Sequence, residues 1–151
     1  MIDAPTAEGK ALAIAEGARA CVGAVAGTTL LFGDDTTVVA TDPPGAEGFA
    51  LRDDSLELRR LFLHAIARFG EEGAVYLDRD RQRPFAGMSP MAGAQDIVLV
   101  PLTVGNRTLG VATLAVDAHP DLEGLEGLRR FCELATRLVE IDRSLIVAKR
   151  Q

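Results

Sequence analysis

Apolar positions along the chain follow two different periods, and the changes of period mark out the elements. From residue 6 to 26, Ala11, Ile14, Ala15, Ala18, Cys21, Val22 and Val25 recur three and four apart, which is one face of a helix. Thr6 stands at a capping position, and Gly27 ends the pattern. The face begins with small residues, so another helix can approach closely. Next, 28-TTLLFGDDTTVVATD-42 places two short β-rich runs around Gly33-Asp34-Asp35, which predicts a hairpin. Pro43-Pro44 and two glycines make 43–54 a loop. A second helix is predicted over 54–69, with Asp54 and Glu57 as its capping pair and Gly70 as its stop. Its apolar stripe is Leu58, Leu61, Phe62, Ala65, Ile66 and Phe69.

A short strand follows at 74–78, and 79–95 is the longest stretch without a period. The clearest strands come after it. Ile97 to Leu102 and Leu109 to Val116 are apolar runs split by Gly105-Asn106-Arg107, and Asn106 suits a turn position of positive φ. Pro101 interrupts the first run. Lacking an N–H, it predicts a sheet edge or a bulge there. A long helix over 121–148 closes the chain with two stripes. Leu128, Phe131, Cys132, Ala135, Leu138 and Val139 suit packing on a sheet. Leu134, Leu138, Ile141, Leu145 and Ala148 follow the four-three spacing of a coiled-coil seam. A helix with two apolar faces contacts two things. Its later half is expected to pack on the N-terminal helix and, in a homodimer, on the partner's copies, through Ile14, Ala18, Leu134, Leu138, Ile141 and Leu145. The element order predicts an α+β fold: one central antiparallel sheet, with the N- and C-terminal helices packed together on one face.

The 151 residues suit one domain spanning 1–151, with no internal repeat or flexible linker. With 48% hydrophobic and 25% charged residues the composition is that of a globular protein. The net charge of −6 argues against nucleic acid and against an anionic membrane surface as partners. No apolar run is long enough to span a bilayer and no signal peptide is evident, so a cytoplasmic location is expected. No kinase, cyclase or DNA-binding segment follows residue 148, which points to output through a partner or through oligomer rearrangement.

Catalytic templates are missing. No phosphate-binding glycine loop, dinucleotide fingerprint or nucleophile-elbow serine is present. His64 lies mid-helix and reads as a partly buried, satisfied imidazole; His119 precedes Pro120 at an exposed turn. No His, Cys and Asp spacing suits zinc, and Cys21 and Cys132 read as free thiols in helices. Asp34-Asp35 and Asp53-Asp54 stand where turns and caps call for Asp.

The segment 99-LVPLTVGNRTLGVATLAVD-117 resembles the recurring hairpin of GAF domains, small cytoplasmic sensor modules, with Pro101-Leu102 and Leu109-Gly110-Val111 in place. Pro120, Leu122, Leu125, Leu128 and Leu134 resemble the family's closing helix, and 73-GAVYLDRD-80 resembles its short strand and acidic turn before the ligand-side loop. The likeness covers most of 8–147. The helix-sheet-helix plan is also that of roadblock-type domains, which regulate small GTPases or act as adaptors. They are shorter and lack a loop like 79–95.

The GAF resemblance implies a non-catalytic regulatory domain in signal transduction that holds a small ligand between the sheet and the segment covering it. Here the cover would be 79–95, with Phe85, Met88 and Met91 as its apolar residues and Tyr76 as an orienting polar group. Arg79, Arg81 and Arg83 alternate, so an extended chain would align them; Arg81 and Arg83 are candidates for an anionic group, although Asp78 and Asp80 offset their charge. Covalent bilin attachment needs a cysteine in the ligand half, and neither cysteine is there. The Asn-Lys-x-Phe-Asp-Glu run of cyclic-nucleotide members is missing, as are the clustered thiols of the methionine-sulfoxide reductases. The ligand, or any cofactor, is not specified. The alternative is a GAF-like or roadblock-like scaffold, its pocket filled by Phe85, Met88 and Met91, acting by contact with a protein partner in a signalling pathway.

Overall fold

The computed structural model describes residues 7–33, 37–42, 60, 63–68, 74–78, 80–81, 96–105 and 107–150. Helix α1 (Ala7–Val22) leads into strands β1 (Ala26–Phe32) and β2 (Thr37–Asp42). Residues 63–68 are helical. Strands β3 (Val75–Leu77), β4 (Asp96–Val104) and β5 (Arg107–Val116) follow, and helix α2 (Leu122–Arg150) ends the chain. The strands form one antiparallel sheet in the order β2-β1-β5-β4-β3. No described helix is long and apolar enough to cross a membrane.

Burial explains the strand sequences. β1 and β5 lie side by side in the interior of the sheet, Leu30 opposite Val111. Every residue of β1 is buried, as is β5 from Leu109 onward. A strand covered on both faces reads as a continuous apolar run instead of an alternation. β3 pairs only with Ile97, Val98 and Leu99 of β4. Pro101 lies two residues beyond that ladder, paired with Val111 of β5, and the register shift falls just after it, between Leu102 and Thr103. The turn after β4 uses Gly105, at φ 59, as a left-handed residue; Asn106 lies outside the described residues.

Both terminal helices lie on one face. Ala11, Ile14, Ala18, Leu128, Cys132 and Val139 share a core with Val98, Val100, Leu102, Ala112, Leu114 and Val116. The small face of α1 serves the close approach its sequence suggested. A Cβ on Gly17 would stand 2.1 Å from the ring of Phe131, and one on Gly27 would stand 3.0 Å from the carbonyl oxygen of Ala15. Polar ties fix the layer at its ends. Arg19 donates to the carbonyl of Ala24 at 3.0 Å and pairs with Asp42 at 3.1 Å. Arg107 pairs with Glu140 at 2.8 Å, and Arg143 donates to the carbonyl of Phe32 at 3.2 Å. At the start of α2, Asp121 accepts from the amide of Gly124 at 2.7 Å, a side-chain cap.

Two boundaries and three burial expectations are corrected. Helix α1 stops at Val22 instead of 26, because Gly23 takes φ 63 and the chain turns into β1; Val25 is exposed, not helical core. Gly27, read as a helix stop, is a strand residue paired with Leu114. His64 is exposed, so it is not a satisfied core imidazole. Leu138, assigned to both stripes of the last helix, is 57% exposed and belongs to the outer one.

Candidate functional site

Because side chains alternate along a strand, the pairing register sorts every sheet residue onto one of two faces. One face is taken by α1 and α2. The other carries Leu30, Phe32, Val75, Leu77, Ile97, Leu99 and Val111, all buried, with Ala65 and Ile66 of the helical stretch 63–68 packed on them. One row across this second face is polar. Thr41, Thr28 and Thr113 stand side by side on β2, β1 and β5, followed by Leu99 and Val75 on β4 and β3. The hydroxyls of Thr28 and Thr41 are 3.1 Å apart, and that of Thr113 donates to the carbonyl of Thr28 at 3.2 Å. Below this row lie only Ala26 and Ala115 on β1 and β5, a second cluster of small residues. The face therefore offers an apolar wall with small residues and hydroxyls at one end. That is the makeup of a small-molecule site: mostly apolar, with a few placed polar groups.

The residues expected to line a pocket under 79–95 are only partly described. Arg83, Phe85, Met88 and Met91 lie outside the described residues. Arg81 is exposed at the end of β3, where its Nη1 donates to the carbonyl of Tyr76 at 3.1 Å and its amide donates to Asp78 Oδ1 at 2.9 Å. Tyr76 is a correction. Its neighbours Val75 and Leu77 face the second side of the sheet, so alternation turns Tyr76 onto the terminal-helix side. There its hydroxyl donates to Asp96, and its ring lies 4.3 Å from that of His119. The Asp96 hydrogen bond comes first in pushing the phenol up to about 12, followed by burial and the charges of Asp96 and Asp78. Tyr76 is therefore not an orienting group on the Leu77 side. Neither the tie to Asp96 and His119 nor the threonine row is legible in the sequence. Both depend on strand register.

The residues expected at a dimer interface divide the same way. Ile14 and Ala18 are buried in the chain's own core, a correction that follows from α1 packing directly on the sheet. Leu134, Leu138 and Ile141 are 60%, 57% and 54% exposed along one side of α2. Beside Leu138, a shallow apolar groove of about 230 Å³ runs between the helices, lined by Ala13 and Ile14 on α1 and by Phe131 and Ala135 on α2. Leu145 lies in α2 with its side chain outside the described residues. Burial raises the thiol of Cys132, to about 12, and that of Cys21 as well. Among the described residues, no group of three or more His, Cys, Asp and Glu is placed to hold a metal ion.

No protein-family model matches the chain, and no curated protein matches it. Solved structures do. The GAF domain of a two-component sensor histidine kinase from Bacillus halodurans superposes with a TM-score of 0.57 at 13% identity, over 91% of this chain and 98% of that one. The GAF domain/HD domain protein from Geobacter sulfurreducens gives 0.56 at 15% identity, over 88% and 91%. The blue-light absorbing form of the Thermosynechococcus elongatus PixJ GAF domain gives 0.51 at 10% identity, over 95% and 93%. The sheet with its paired terminal helices defines an α+β architecture. More narrowly, the chain has the GAF fold.

Proposed function

We propose that this chain is a non-catalytic GAF-type regulatory domain of signal transduction. It senses a small ligand held against the second sheet face under residues 79–95, and acts as a homodimer through α2. The observation that carries this reading is the second face itself: a buried apolar wall ending in the Thr28, Thr41 and Thr113 row, adjoined by the strands from which 79–95 departs and to which it returns. The GAF domains it resembles come from a sensor kinase and a PixJ GAF domain crystallised in a light-absorbing form, which supports a sensory role. The outer stripe Leu134, Leu138 and Ile141 supports the dimer, because a second copy of the same helix would cover it.

Native mass spectrometry of the protein purified from its own cells tests both parts. The expected species is a dimer with added small-molecule mass. Thr113→Val should retain less of that mass, and Leu138→Glu should give a folded chain of 16.0 kDa. A dimer with no added mass, and no shift in melting temperature on screening metabolites, would favour the scaffold alternative. A bare monomer in the unmutated protein would refute the α2 interface.

A further inference from the structure

Three stretches of chain meet at Tyr76. Where the chain leaves the sheet, Arg81 folds back and donates to the Tyr76 carbonyl at 3.1 Å, while its own amide is held by Asp78 at 2.9 Å. Where the chain returns, Asp96, the first residue of β4, accepts the Tyr76 hydroxyl. The third stretch is the connection from β5 to α2. Asp96 is in register with Val116, the last residue of β5, so the connection starts next to it. It then crosses the start of β4 to the edge strand, where the ring of His119 lies 4.3 Å from that of Tyr76, tilted by 34°. His119 Nδ1 donates to the carbonyl of Pro120 at 2.7 Å, and Asp121 caps α2 immediately afterwards.

We propose that Tyr76 is the tie through which the two ends of the 79–95 segment set the first turns of α2. Asp96 and Arg81 reach the boundaries of the segment, and His119 reaches the helix cap. Tyr76 stands between them, with one end of its side chain bonded and its ring against that of His119. The phenol ring is stiff, with two side-chain torsions, so fixing its hydroxyl at Asp96 fixes the surface on which His119 rests. Shifting Asp96 relative to β3 would move the ring, and with it the residues that start α2. The tie is a positioning device, and it goes beyond ligand binding and dimerisation.

Amide hydrogen exchange of the full chain, without added ligand, tests it through non-additivity. Asp96→Ala is expected to raise exchange several-fold over residues 122–128. In a His119→Ala background, Asp96→Ala should add nothing further, because the path to the helix is already cut. Tyr76→Phe keeps the ring on His119 and removes only the hydroxyl bond, so it should reproduce Asp96→Ala and should not add to it. Three results would overturn the proposal: unchanged exchange at 122–128 in Asp96→Ala, an equal rise with and without His119, or a rise as large in β1, which would signal global loss of stability. Since no ligand enters the experiment, its failure leaves the sensory reading standing.

Discussion

A Cβ on Gly110 would stand 2.1 Å from the carbonyl oxygen of Leu30. At this point β1 and β5 approach more closely than any side chain allows. The obstacle is backbone in the middle of the sheet, which cannot swing aside as a side-chain tip can. Gly110→Ala is therefore expected to cost about 1–3 kcal/mol, the range of overpacking in a tight core. Urea unfolding checks it, with the midpoint falling at unchanged slope. An unaltered midpoint would mean that the strands separate without penalty.

Thr29 predicts the opposite sign. It is fully buried between Ala40 and Ala112 in the register, on the face under the helices. Among the described residues its hydroxyl has no hydrogen-bond partner. A buried polar group without a partner costs roughly 1–3 kcal/mol, and valine has the same shape without the hydroxyl. Thr29→Val should raise stability by about 1 kcal/mol in the same urea experiment. A loss of stability would show that an ordered water satisfies the hydroxyl.

Tyr76 can be read spectroscopically, because the chain contains one Tyr and no Trp. Its hydrogen bond to Asp96, its burial and the charges of Asp96 and Asp78 raise the phenol from 10.0 to about 12. The sign for stability follows. Between about pH 10 and 12 the unfolded chain has lost the phenolic proton and the folded chain retains it. This group's stabilisation is thus complete below about pH 10 and is lost as pH rises through about 12. A rapid alkaline jump followed by phenolate absorbance should give a midpoint near 12 in the native chain and one close to 10 in Asp96→Ala. Equal midpoints in the two proteins would remove Asp96 as the cause.

Much of the fold is legible in the residues. The hairpin around Gly105, the interruption at Pro101 and the long closing helix each have a local cause, in turn geometry, in a missing N–H and in a 3.6-residue period. Helix α1 shows where local reading stops. Its apolar spacing continues through Val25, yet Gly23 in the left-handed region ends the helix and Val25 is exposed. Periodicity alone does not distinguish the last turn of a helix from the start of a strand that is buried on both faces.

The candidate site was less legible, because its parts come from different strands. Thr28, Thr41 and Thr113 are unremarkable in sequence and become a polar row only through pairing of β2, β1 and β5. The sequence places Tyr76 on its strand but does not show which face it takes. The phase of a three-residue strand is set by which neighbour its partner buries, not by its own composition. The exposure of His64 has a related cause. Its helical position is plain, but the side of the helix that packs is decided by the sheet.

By itself, then, the sequence determined the periods, the turns and so the set of elements, since these rest on local backbone preferences and on the burial pattern along each segment. The tertiary structure decided what meets what: Gly110 against Leu30, Tyr76 between Asp96 and His119, and Ile14 turned inward while Leu138 stays outside. Those pairings depend on strand register and helix rotation. Both are fixed by the joint packing of residues more than a hundred positions apart, which no local pattern encodes.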